Sequence, residues 1–348
     1  MAVLIFLLIL LFGCKFSKRG ECFESSFSKD DTAMLKGAFA FLVILHHLSS
    51  YVALPSFAIF KYVGPIAVGG FFLISGYGLC ASAKKGESFK KGYFSRRLLP
   101  ILFSVWIFDI AYFILWQKSG VLSAERIIRA LFGWHLWYVP VILIFYIVFY
   151  FAFFGANLPL GATVMTAFSF LYIALILLLS KKLPGVYGYW WANSILCFPL
   201  GIFYAVYKEK LDGFFKKFWW PSLLAFGALF CASFIYINLQ NGANTPSGFV
   251  VQSANALLFC ITLLILQIKV KFSNPLLSLF GGISLEMYLS HAIFITLLRT
   301  PIDIFGYTFI LSSDDLFVCG VIIFSVLSSL FVRRFVKFIT KGISKSWK

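Results

Sequence analysis

Long apolar runs separated by short polar segments recur along the whole 348-residue chain. Ten of these runs have about the 20 residues that a helix needs to cross a lipid bilayer. Their approximate limits are 37–54, 63–83, 98–116, 134–154, 160–180, 187–206, 219–238, 248–268, 275–297 and 316–336. The pattern therefore predicts an all-α, polytopic transmembrane helical bundle of about ten core helices.

A shorter apolar run, Met1–Phe12, precedes the first of the ten. No basic segment lies before it, as one would in a secretory signal, so we expect a retained extra helix. In the polar stretch that follows, Ser28 is placed to cap a helix with Asp30 and Asp31 in its first turn. The predicted division is an N-terminal apolar segment and linker over 1–33, a transmembrane domain over 34–340, and a cytoplasmic tail over 341–348.

The distribution of charge supports this membrane topology. Only 12% of the residues are charged, against about 25% in a soluble domain, and 61% are hydrophobic. If the segment before the first core helix is cytoplasmic, 23 of the 30 Lys and Arg residues fall in cytoplasmic segments, so both ends of the core are predicted to be inside. The net charge of +17 lies in these short loops. We therefore expect a cell-membrane protein that contacts the bilayer and binds no nucleic acid.

The common signatures of soluble catalytic and metal sites are absent from the sequence. The seven cysteines form no CxxC pair and their number is odd, so neither a disulfide framework nor a metal site is predicted. The chain also lacks the GxSxG, HExxH and Walker patterns. Its chemistry is expected to depend on the few ionisable residues inside the apolar runs, where charge is costly and usually functional.

The first core helix carries the most informative pair, Lys36 and His47. Eleven residues make three helical turns plus about 20°, so the two side chains share one face about 16 Å apart. A cation at the membrane boundary and an imidazole at depth would suit a long anionic donor that reaches inward. The alternatives are a snorkelling lysine and a structural histidine, and for the adjacent His46 a packing role is favoured.

Two further segments flank the same region. The loop over 84–97 holds six basic residues and ends in Arg96 and Arg97, whose guanidinium groups suit phosphate recognition or serve only to orient the chain. In the second core helix, the segment VGGFFLISGYGLC contains four glycines, which permit close helix packing or leave room for a substrate arm. They are Gly69, Gly70, Gly76 and Gly78.

Other ionisable and aromatic residues are candidates for supporting roles. In the ninth run, Ser284, Tyr288 and His291 form one polar stripe, and Glu286 is predicted on another face. An interhelical hydrogen-bond network is the alternative interpretation of that stripe. The remaining candidates for binding the acceptor are Asp109, His135 and Trp137, the last two of which also suit an aromatic belt at the outer membrane surface.

Five motifs in this order resemble the acyltransferase 3 family of membrane proteins. They are KGAFAFLVILHH, GGFFLISGYGL, FSRRLLPIL, HLWYVPVIL and SLEMYLSHAIF, and together they cover about 34–335. The resemblance implies ten helices that take acyl groups, usually acetyl, from cytosolic acyl-CoA to hydroxyls of surface or lipid-linked carbohydrates. It assigns the essential pair to Lys36 and His47 and the basic segment to Arg96 and Arg97. Phe39 departs from the family pattern, which commonly has a small residue at that position. This departure implies a reshaped cleft.

The resulting hypothesis is an O-acyltransferase with acetyl-CoA as donor substrate and no permanently bound cofactor. Lys36, Arg96 and Arg97 would hold the donor phosphates. Neutral His47, with an ordinary pKa of about 6.5, would act as general base on the acceptor hydroxyl, or would carry the acyl group itself. The alternative function is a non-catalytic transporter or flippase of a lipid-linked glycan.

Overall fold

The computed structural model describes residues 2–24, 26–116, 128, 130–134, 136–155, 157–240, 245–299, 302–304 and 307–346. Within these ranges the fold is almost entirely helical, and the predicted all-α polytopic bundle is confirmed. The helices are α1 (Ala2–Leu11), α2 (Lys29–Leu48), α3 (Gly64–Ala83), α4 (Glu87–Lys90), α5 (Tyr93–Arg97), α6 (Leu99–Trp116), α7 (Tyr138–Ala152), α8 (Leu158–Lys182), α9 (Cys197–Val206), α10 (Lys208–Lys217), α11 (Trp219–Leu239), α12 (Pro246–Leu266), α13 (Pro275–Gly282), α14 (Ser284–Arg299) and α15 (Asp314–Ser346).

Short elements complete the described fold. Two 3₁₀ helices cover Pro55–Tyr62 and Tyr189–Trp191. Strand β1 (Lys15–Phe16) pairs antiparallel with β2 (Val270–Lys271), and β3 (Ile302–Ile304) pairs antiparallel with β4 (Tyr307–Phe309).

Each predicted run contains helix, but not every run is one full span. Among the described residues, six helices are long and apolar enough to cross a membrane. The prediction of an unbroken ninth span was wrong, because α13 and α14 meet at Ile283 with a bend of 80°. The sixth run forms an α-helix only from Cys197, and its first half contains the 3₁₀ helix Tyr189–Trp191.

The N-terminal end of α2 is fixed by its own side chains. Ser28 accepts a hydrogen bond from the backbone of Asp31, and the Asp31 carboxylate accepts one from the backbone of Ser28. This capping box confirms the predicted helix start and satisfies two backbone donors. The Asp31 carboxylate also pairs with Lys271 at 3.4 Å, which ties α2 to strand β2.

Glycines allow α2 to cross α13 at backbone contact. A Cβ on Gly37 would overlap the carbonyl oxygen of Leu277, and one on Gly281 would overlap that of Ala33. The glycine that follows Lys36 is therefore needed for packing, and the crossing places Lys36 beside the break in the ninth span.

Segments predicted on one side of the membrane contact each other. At one end of the bundle, β1 precedes the capping box and pairs with β2, and Ser26 donates a hydrogen bond to Asp212 at 2.8 Å. At the other end, Arg299 forms an ion pair with Asp314, which also accepts a hydrogen bond from the backbone of Ala53. The connecting segments therefore divide between two ends as the charge pattern predicts.

Candidate functional site

A cationic cavity of about 250 Å³ opens at the end of the bundle that is predicted to be cytoplasmic. Four basic side chains and one acidic side chain line it: Lys36, Arg96, Arg97, Arg333 and Glu286. The helices that supply them are α2, α5, α14 and α15. Because the cations outnumber the carboxylate, the cavity favours an anionic ligand.

Lys36 is the least compensated of these cations. It is half-buried one residue before the tight crossing at Gly37. No carboxylate lies within ion-pair distance of its ammonium group among the described residues. The lysine is therefore available to an anionic group that enters the cavity.

The two arginines of the loop differ in their surroundings. Arg97 is half-buried and donates a hydrogen bond to the hydroxyl of Ser82 at 3.0 Å, which directs its guanidinium group toward the end of α3. Arg96 is exposed and donates to the backbone carbonyls of Ser88, Phe89 and Lys91. Arg97 is thus placed to contact a ligand, whereas Arg96 also holds the loop in shape.

An ion pair between a half-buried arginine and a buried carboxylate lies at the wall of this cavity. Glu286 is 1% exposed and accepts a hydrogen bond from Ser104 at 3.0 Å. Arg333, from α15, lies 3.4 Å from the same carboxylate oxygen. Glu286 lines the first cavity together with Ser284 and Tyr288, although the helical spacing puts it on another face of α14. The first turn of α14 directly follows the break in the ninth span, and its side chains line the cavity.

A second cavity, of about 470 Å³, lies on the other side of the same helices. Aromatic and amide side chains surround the imidazole of His47 in its wall, among them Tyr62, Trp137, Trp190, Asn193 and Gln252. Asn193 donates a hydrogen bond to Gln252 at 2.8 Å, and the hydroxyl of Tyr62 is buried without a hydrogen-bond partner among the described residues. Rings beside hydrogen-bonding groups suit an amphipathic ligand.

Two neighbouring imidazoles flank His47. The ring of His46 lies 5.0 Å away between centroids, and its Nδ1 lies 3.1 Å from the carbonyl oxygen of Phe60. The ring of His291 lies 4.9 Å away, and its Nδ1 lies 3.2 Å from the carbonyl oxygen of Met287. Both neighbours are held by backbone carbonyls, whereas the side chain of His47 is accessible from the cavity.

Val68 and Tyr288 line both cavities. Tyr288 packs its ring 5.8 Å from that of His291 and 5.5 Å from that of Tyr138, which lines the first cavity. The two cavities therefore share a wall on α3 and α14, and His47 lies just beyond that wall from the cations.

The remaining predicted residues are distributed differently. Trp137 lines the second cavity, whereas Asp109 lines neither cavity, and His135 lies outside the described residues. Phe39 also lines neither cavity, because its ring fills the space above Gly70, where a Cβ would overlap it. Gly70 on α3 thus makes room for the large ring of Phe39, so the predicted reshaping of the cleft by Phe39 is not seen in either cavity.

Several lining residues were missed by the sequence interpretation. They are Ser75, Tyr146, Asn193, Gln252 and Arg333. Ser75 belongs to no nucleophile motif, but it accepts a hydrogen bond from Tyr146 at 3.4 Å in the first cavity. Intramembrane polarity was the available signal for the two amides. Among the described residues no group of three acidic, histidine or cysteine side chains could hold a metal ion.

Comparison with known proteins gives the family. The acyltransferase domain family known as acyltransferase 3 matches residues 33–334. The chain therefore belongs to this family, as the five motifs predict, and is a multi-pass membrane acyltransferase. No curated protein and no solved structure matches the chain.

Proposed function

We propose that this membrane acyltransferase moves an acyl group, usually acetyl, from cytosolic acyl-CoA to a hydroxyl of a surface or lipid-linked carbohydrate. The observation that carries the proposal is the wall that the two cavities share at Val68 and Tyr288. A cationic cavity that would suit a nucleotide lies on one side of that wall, and an accessible imidazole lies on the other.

The donor would bind with its phosphates in the first cavity. Lys36 supplies an unpaired ammonium group there, and Arg97 supplies a fork that can bond two phosphate oxygens. Arg96 adds charge at the opening. The thioester end of the pantetheine arm would then extend along Ser75 and Tyr138 toward Tyr288, which lines both cavities.

Transfer would take place beside His47. Its neutral imidazole takes the proton of the acceptor hydroxyl while the oxygen attacks the thioester carbonyl. The carbon–sulfur bond then breaks, and the departing thiolate receives the proton from the imidazolium. His291 stays fixed by its own helix, and its ring packs against that of His47 and would hold it beside the shared wall.

The acceptor would bind in the second cavity. Trp137 and Trp190 offer ring faces to an apolar sugar surface, and Asn193 and Gln252 offer amide groups to its hydroxyls. The same end of the bundle carries few basic residues, as expected for the outer face of a cell membrane.

One observation favours a second candidate, a carrier of lipid-linked glycans. The ninth span is broken by 80°, and discontinuous helices line the substrate sites of many transporters. A carrier would move its glycan without changing its mass, which separates it from an acyltransferase.

The test is acyl transfer in cells with and without the gene. Membranes are supplied with radioactive acetyl-CoA, and surface glycans are analysed by mass spectrometry. We expect label and an added acetyl mass only where the gene is present, and neither where it carries His47→Ala at an equal protein level. Equal labelling in all three strains would contradict the proposal, and a change in the amount of surface glycan without a change in its mass would favour the carrier.

A further inference from the structure

We infer that Arg333 is a donor-phosphate ligand held in position by Glu286, an inference that rests on the proposed donor site. Arg333 belongs to none of the motifs that the sequence offers. It lies on α15, near the other end of the chain from Lys36, and both side chains line the first cavity.

The guanidinium group of Arg333 is incompletely bonded. Its Nη1 lies 3.4 Å from Glu286, at the long end of the range for a hydrogen bond, and its Nε is buried without a hydrogen-bond partner among the described residues. A guanidinium group carries five N–H donors. Most of them remain available to oxygen atoms of a ligand in the cavity.

Glu286 is a buried partner for the half-buried Arg333. A carboxylate that is 1% exposed is costly unless it has a partner, and Arg333 is that partner. Ser104 donates to the same carboxylate oxygen at 3.0 Å, which fixes it against α6. Glu286 is therefore a positioning residue that keeps the guanidinium group at the cavity before the donor arrives.

The chemistry of the pair suits a nucleotide donor in particular. A planar guanidinium can bond two oxygens of one phosphate group, and such charge-assisted bonds are roughly twice as strong as neutral ones. A thioester without phosphates offers Arg333 no such partner. The residue should therefore contribute to the binding of acetyl-CoA and contribute nothing to the use of a phosphate-free donor.

The experiment compares two donors with the full-length protein in proteoliposomes. Acetyl-CoA carries the nucleotide phosphates, and S-acetylpantetheine lacks them. We expect Arg333→Ala to raise the KM for acetyl-CoA about 10- to 100-fold with little change in kcat, and to leave kinetics with S-acetylpantetheine unchanged. Arg334→Ala is the matched control, because Arg334 is the next residue and is exposed outside the cavity.

Two further variants keep the result interpretable. Arg333→Lys keeps the charge but loses the two-pronged guanidinium group, so its KM for acetyl-CoA should lie between those of wild type and Arg333→Ala. If Arg333→Ala does not fold, Arg333→Lys takes its place in the comparison. Adding Glu286→Ala to Arg333→Ala should raise the KM no further, because the two residues act together.

The outcomes separate this inference from the proposed function. An equal loss with both donors, or an effect no larger than that of Arg334→Ala, would overturn the role of Arg333. If the wild-type protein uses no acetyl-CoA at all, the proposed donor itself is wrong.

Discussion

The imidazole rings of His47 and His291 lie 4.9 Å apart between centroids, although 244 positions separate them in the chain. The contact joins α2 to α14 at the level where the two cavities share a wall. His291 is 2% exposed and bonded to its own helix, whereas His47 is open to the second cavity. From this asymmetry we propose a reacting role for His47 and a supporting role for His291.

Replacing His47 by alanine should remove most of the activity. A positioned general base contributes about 10²- to 10⁴-fold to a rate, so we expect kcat to fall within that range or further. Binding of the donor should persist, because the cations proposed to bind its phosphates line the first cavity and His47 lines the second. Turnover and acetyl-CoA binding, each measured on the same preparation, would check this, and wild-type turnover by the variant would refute the assignment.

Replacing His291 by phenylalanine should have a smaller effect. The phenyl ring preserves the contact with His47 but cannot bond the carbonyl of Met287, so the ring of His47 is held less firmly. We expect kcat to fall about 10-fold with an unchanged KM for acetyl-CoA, since a small misplacement of a catalytic group is costly. A loss as large as that of His47→Ala would mean that His291 takes part in proton transfer itself.

Replacing Lys36 by alanine should weaken donor binding. A charge-assisted contact is worth about 1.5–3 kcal/mol, which corresponds to a rise in the KM for acetyl-CoA of about 10- to 100-fold. Lys29→Ala is the matched control, because Lys29 lies on the same helix but is exposed and does not line the cavity. Steady-state kinetics at two ionic strengths would check it, and the wild-type KM should rise with salt. Equal effects of the two substitutions would contradict a specific phosphate contact.

The glycines of α3 should differ in their tolerance of a methyl group. A Cβ on Gly76 would overlap the carbonyl oxygen of Phe198, whereas nothing lies within 4 Å of a Cβ on Gly78. We expect Gly76→Ala to lower the free energy of unfolding by about 1–3 kcal/mol. Gly78→Ala should leave it unchanged or raise it slightly, since alanine favours helix. Thermal unfolding in detergent would rank them, and equal midpoints would show that α9 can move away.

The packing role of small residues was predicted from the sequence, but their individual partners were not. Gly76 makes a backbone crossing and Gly78 does not, although they are two positions apart in the same motif. Hydrophobic periodicity identifies a span and gives no information on which neighbouring helix approaches it. The helical runs and the helix cap at Ser28 depend on local chemistry, and both were predicted.

The cavity was only partly predictable for the same reason. Lys36 and His47 share one helical face, which spacing alone gives. Arg333 lies at the end of an apolar run, where a basic residue ordinarily serves as an orientation signal. Its place beside Lys36 depends on how α15 packs. The break at Ile283 was missed because neither a proline nor a charged residue marks that position, although Gly281 and Gly282 precede it.

The most direct test of the central claim is a transfer assay across a sealed membrane. Proteoliposomes with a known orientation of the chain contain lipid-linked glycans extracted from the native membrane, and labelled acetyl-CoA is supplied to one side only. We expect the glycan to be labelled when the donor is on the side of Lys36, and not when it is on the side of Lys61 or when His47 is replaced by alanine. Labelling that needs donor on the Lys61 side, or that persists without His47, would contradict the account.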